Sequence, residues 1–103
     1  MKLQALPDIE IIAERIEQAE LEPLFKVIIH NDDVTPMDFV VHILKTTFFL
    51  GNDRASEIML TAHVNSSAYV QTLPKSEALR RINRAHTEAN DAGYPLRFSM
   101  EPE

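Results

Sequence analysis

Apolar and polar positions follow two different periods along the chain, and the changes of period mark its elements. "LFKVIIH" (24–30) is nearly continuous in apolar and β-branched residues, the pattern of a buried strand. Behind "NDDVTP" (31–36), Val40, Val41, Ile43, Leu44 and Phe48 supply the apolar face of a helix. Thr35 is its predicted N-cap, with Pro36 in the first position, Asp38 three residues after the cap, and Gly51 as the stop. A second helix is predicted from Asp53 as N-cap, with Ala55, Ile58, Met59 and Ala62 on one face and His63 one turn beyond Met59. "AYVQTL" (68–73) alternates as a strand, and Pro74 ends it. A third helix, from Ser76 to about Ala92, runs through Leu79, Ile82, Ala85 and Ala89; Gly93 caps it, and "PLRFSME" (95–101) is a last strand. So few strands in the order β-α-α-β-α-β pack most economically as an α+β domain, a small three-stranded antiparallel sheet against three helices.

Residues 1–23 stand apart. They carry two basic against six acidic side chains, a net of −4. Ile9, Ile12 and Ile16 give "DIEIIAERIEQAEL" the spacing of a short amphipathic helix, and Pro23 separates it from the first strand. The reading is a flexible acidic N-terminal arm over 1–23 and one core domain over 24–103. A chain of 103 residues has room for one modest core. Its formal charge of −6 argues against non-specific nucleic-acid binding, which wants a basic face. The absence of Cys excludes disulfides, thiol catalysis and Cys-ligated zinc. Apolar runs fall far short of the ~20 residues that span a bilayer. An N-terminus with no apolar stretch and little Arg fits neither a signal nor a transit peptide, so the cytoplasm of a prokaryote is the expected compartment.

Two groups of residues invite a chemical role. Asn31, Asp32 and Asp33 leave a strand end together. They serve a tight turn, bonding nearby amides, or they aim three acceptor-rich side chains at a donor-rich ligand. A Ca²⁺ loop would be longer and would need a Gly. His63 is either a structural histidine beside Met59 and Ala62 or a neutral acceptor for a ligand hydrogen bond. His30, His42 and His86 are scattered, with no His-x₃-His pair for zinc, and nothing calls for a cofactor. Phosphate-loop and nucleophile-elbow patterns are missing from a chain with two glycines.

"KVIIHNDDVTPMDFVVHIL", followed by "RASEIMLTAHV" and, near the end, "YPL", closely resembles the ClpS family over roughly residues 24–100. These are adaptors that hand N-end-rule substrates to the Clp ATP-dependent protease. The resemblance implies a ligand with a free α-amino group and a large apolar first side chain: N-terminal Phe, Tyr, Trp or Leu. It implies that Asn31, Asp32 and His63 grip the ammonium. Ile29, Asp33, Thr35, Met37, Val40, Met59, Ala62 and Leu96 would then wall the side-chain pocket, with Met37 as a gate against β-branched residues. Ser76 and Arg81 lie where the family docks on the N-terminal domain of a ClpA-type unfoldase. Ala62 stands where the family usually has Val, and Ser76 where it often has an acid. The implied protein is a monomeric, non-enzymatic adaptor without metal or cofactor.

Elementary chemistry agrees with this reading. An α-ammonium has three donors and is costly to bury unpaired. Two rival readings remain: a factor-recruiting module resembling the C-terminal domain of the ribosomal stalk protein, and a small hydrolase using His63 as base and Asp32 as its orienter.

Overall fold

The first strand sets the frame. In the computed structural model, which describes residues 21–103, β1 (Leu24–His30) has the bounds of its apolar run. The helix expected over 8–21 thus lies, but for Leu21, outside the described residues. β1 is the middle strand, with β2 (Ser67–Pro74) and β3 (Arg97–Pro102) antiparallel on either side in the order β2-β1-β3. Its alternate residues Val27 and Ile29 are 0% and 1% exposed and face the helices α1 (Met37–Thr46), α2 (Asn52–Asn65) and α3 (Lys75–Ala92). A bulge sets both Val70 and Gln71 opposite Val27, keeping Val70 buried while Gln71 turns toward the backbone carbonyl of Phe48.

Helical periodicity explains the rest of the core. Val40, Ile43 and Leu44 of α1, Ala55, Ile58 and Ala62 of α2, and Ala78, Ile82, Ala85 and Ala89 of α3 are all buried in one cluster with the sheet. Each buried Val, Leu or Ile contributes roughly 1.5–3 kcal/mol relative to exposure. The α+β architecture and element order are those read from the sequence.

Several boundaries differ from expectation. Thr35 is not the cap of α1: Pro36 occupies that position, Met37 begins the helix, and no side chain caps it. The Thr35 hydroxyl is instead donated to the Asp32 carboxylate. Asp38 accepts from the Phe39 N–H, not from a cap residue. α1 stops at Thr46, before Gly51, which has ordinary extended backbone and caps α2 two residues earlier than Asp53 would have. Phe48 lies in the loop after α1, 1% exposed and stacked at 4.9 Å on Phe98 of β3. Gly93, at φ +81°, does end α3 as predicted, its N–H donated to the Asn90 carbonyl. His86 is partly buried, and its Nε2 accepts the Phe98 N–H at 2.9 Å.

Glu22 and Pro23 are fastened to α3. The Pro23 carbonyl accepts the Lys75 N–H at 3.0 Å. The Glu22 carboxylate accepts from the Ser76 hydroxyl at 2.6 Å and from the Ser76 N–H at 3.3 Å, where a carboxylate complements a helix N-terminus.

Candidate functional site

Three elements meet where β1 ends. The Asn31 N–H is donated to the Ser66 carbonyl at 2.8 Å, which extends the β1–β2 ladder and brings Asn31 beside the last turn of α2, where His63 sits. Ser66 makes the sharp reversal from α2 to β2 with a left-handed φ of +75°. Across the sheet, Arg97 pairs with His30, so Leu96 arrives opposite the same strand end. Phe39 of α1 meets Tyr94 edge-on at 4.8 Å, holding α1 against the turn that delivers Leu96.

These constraints enclose a cavity of about 310 Å³. All eleven residues singled out for an amine grip and a side-chain pocket line it: Ile29, Asn31, Asp32, Asp33, Thr35, Met37, Val40, Met59, Ala62, His63 and Leu96. Ile29, Val40, Ala62 and Leu96 are buried and form an apolar floor. Asn31, Asp33 and His63 are exposed, Met37 is 45% exposed, and Asp32 is intermediate. The hollow is thus greasy at its base and polar at its mouth. His30, Val34 and Pro36 line it too and were not singled out. Val34 is 63% exposed, and no periodicity marks a loop residue as rim.

Asp32 organises the loop. Its Oδ1 accepts the Val34 N–H at 2.8 Å and the Thr35 N–H at 2.6 Å, and its Oδ2 accepts the Thr35 hydroxyl at 2.8 Å. Partial burial pushes this carboxyl up, but the bonds from Thr35 and Val34 outweigh it and hold the pKa below the ordinary aspartate value. The turn reading of Asp32 therefore describes its local geometry. A carboxylate offers about four acceptor positions, so capacity for one further donor remains on Oδ2. Among the described residues, the hydrogen bonds to Asp32 come from its own loop, not from an imidazole, which leaves the hydrolase arrangement of His63 and Asp32 without its orienting contact.

Ser76 and Arg81 lie away from the cavity, on α3. Ser76 is engaged with Glu22. Arg81 is 20% exposed at its side chain and donates to Glu77 at 2.8 Å and to Gln71 at 3.0 Å. No cluster of three or more His, Cys, Asp or Glu suited to a metal occurs among the described residues, and no helix among them is long and apolar enough to cross a membrane.

Comparison with known proteins matches residues 20–99 to the family model "ATP-dependent Clp protease adaptor protein ClpS". The chain belongs to the ClpS family. The ClpS 2 adapter protein of Mesorhizobium japonicum is 44% identical over 84% of this chain and 85% of its own length. ClpS 2 of Rhizobium meliloti is 35% identical over 95% of this chain and 99% of its own. The solved structure of Agrobacterium tumefaciens ClpS2 bound to L-phenylalaninamide superposes with a TM-score of 0.76 at 38% identity, covering 79% of this chain and 98% of that one. Members of this family are adaptors of the ATP-dependent Clp protease.

Proposed function

We propose that this protein is a non-enzymatic adaptor of the cytoplasm that captures proteins by a free N-terminal Phe, Tyr, Trp or Leu and delivers them to a ClpA-type AAA+ unfoldase for degradation by the Clp protease. The carrying observation is one cavity with an apolar floor and acceptors at its mouth. Asn31 offers its side-chain oxygen, Asp32 the open position on Oδ2, and His63 a ring nitrogen. Three acceptors, one anionic, match the three donors of an α-ammonium. Ile29, Val40, Met59, Ala62 and Leu96 receive the first side chain, while Asp33, Thr35 and Met37 edge its entrance. L-phenylalaninamide, the ligand of the Agrobacterium tumefaciens relative, carries both features: a free amine and a benzyl group.

Magnitudes explain why both features are needed. A hydrogen bond to a charged group contributes about 1.5–3 kcal/mol, and burying a Phe or Leu side chain about 1.5–3 kcal/mol. Association costs about 4–15 kcal/mol. Neither anchor suffices alone. The protein acts as a monomer, its core docks on the N-terminal domain of the unfoldase through the Ser76–Arg81 side of α3, and the acidic arm over 1–23 takes part in the transfer.

The test is a fluorescence-anisotropy titration with peptides that differ only in their first residue and its amine. A Phe-initiated peptide with a free amine binds, and its acetylated form, which has lost the charge and two donors, does not. Asp32→Ala weakens binding about a hundredfold and His63→Ala about tenfold. Parent-like affinity in both variants rules out the site.

A further inference from the structure

Arg81 does not present its cation to solvent. Its Nε is donated to Glu77 Oε1 at 2.8 Å and its Nη1 to Gln71 Oε1 at 3.0 Å, while the guanidinium lies 4.9 Å from the centre of the Phe49 ring. Phe49 is what the surface shows here. It is 68% exposed and has a left-handed backbone, φ +56°, a costly conformation for a bulky residue. Gly51, two residues on, would adopt that conformation freely but has an ordinary φ of −68°. The chain thus spends strain on an aromatic ring turned into water, with one face stacked on an arginine and the other open.

The surroundings state what such a ring would meet. Arg80 and Arg84, one turn apart on α3, are 60% and 62% exposed at their side chains. Their acidic partners Glu77 and Glu88 are withdrawn, at 26% and 34%. This stretch of α3 thus turns more arginine than carboxylate outward, on a chain of net charge −6. An exposed aromatic stacked on arginine is the composition of a protein-binding hot spot.

We propose that Phe49, propped by Arg81, is the anchor of the partner-docking face, that the exposed Arg80 and Arg84 of the same helix belong to that face, and that it fits an acidic protein surface with an apolar recess for one aromatic ring. Arg81 acts through Phe49, as its support. The proposal rests on the adaptor reading above and replaces Arg81 with Phe49 as the contacting group.

The test uses the full chain and the isolated N-terminal domain of a ClpA-type unfoldase, titrated by calorimetry at two salt concentrations, with a Phe-initiated peptide titrated in parallel. Phe49→Gly removes the ring and relieves the backbone, so its Tm is not lowered. It is expected to weaken domain binding about tenfold or more and to leave peptide binding within about twofold. Arg80→Glu with Arg84→Glu weakens domain binding and flattens its salt dependence. Domain binding unchanged in Phe49→Gly overturns the proposal. So does a parent that binds the peptide but not the domain, or a parent that sediments as a dimer dissolved by Phe49→Gly, in which case a second copy is the occupant. A parent that docks through Phe49 yet ignores the peptide supports this face and counts against the pocket alone.

Discussion

Thr35 shows how a single residue can be placed correctly by sequence and yet misassigned in role. Thr-Pro before an apolar helical run predicts a capping hydroxyl, but this one is donated to Asp32 Oδ2 at 2.8 Å. That bond, with the two amides on Oδ1, fixes the carboxylate's orientation and leaves it ionised to lower pH than an ordinary aspartate. Thr35→Val, which keeps the shape and loses the donor, is expected to weaken binding of a Phe-initiated peptide about tenfold. Thr35→Ser restores it. The Thr35→Val deficit grows between pH 7 and pH 4, near the ordinary aspartate value, because losing a donor raises the Asp32 pKa and the carboxylate protonates earlier. Anisotropy titrations at both pH values check this, and equal affinities for the Val and Ser variants would refute it. The Ile29, Val40, Ala62 and Leu96 floor was legible as apolar residues in four segments. That they converge was implied by the family resemblance and not by spacing, because 67 positions separate Ile29 from Leu96.

Among the elements, the junction after α1 departs most from the sequence pattern. Gly51 suggested a helix running toward it, yet α1 ends at Thr46, and Phe48 leaves the helix to stack on Phe98. Burial of that ring against the sheet outweighs continuing the helix. The same packing traps Thr47, 1% exposed, with its hydroxyl unpaired among the described residues. An unsatisfied buried hydroxyl costs about 1–3 kcal/mol. Thr47→Val, near in shape and without the polar atom, is therefore expected to raise Tm by roughly 4–8 °C. Calorimetric melts of the two proteins decide it, and a lowered Tm would show that the hydroxyl is satisfied after all.

Over the whole molecule, His86 ties α3 to β3 by accepting the Phe98 N–H, a role open only to the unprotonated ring nitrogen. Burial first, then the charge of Arg97, lowers its pKa. The folded protein therefore holds this proton less readily than the unfolded chain. The stabilisation is complete above the ordinary histidine value of about 6.5 and is lost as pH falls below it. Asp32, depressed in the folded state, adds a second loss only as pH falls through its own lower value. Thermal melts from pH 7.5 to 5.5 should show Tm declining, and the slope should be shallower in His86→Gln. Identical slopes would remove His86 as the cause.

Local pattern by itself determined the number, order and kind of the elements, the apolar faces that fill the core, and the loop that bears the acceptors. Periodicity and turn chemistry act within a few residues, and these properties are local. That Asn31, Asp32, His63 and Leu96 border one hollow was implied by the family resemblance but by no local pattern, and only the tertiary structure decided that Thr35 serves Asp32 and that Phe49 covers Arg81. Each of these depends on strand register, on a ladder bond from Asn31 to Ser66, or on where a helix yields to a buried ring. Such contacts join residues far apart in the chain, and spacing carries no record of them.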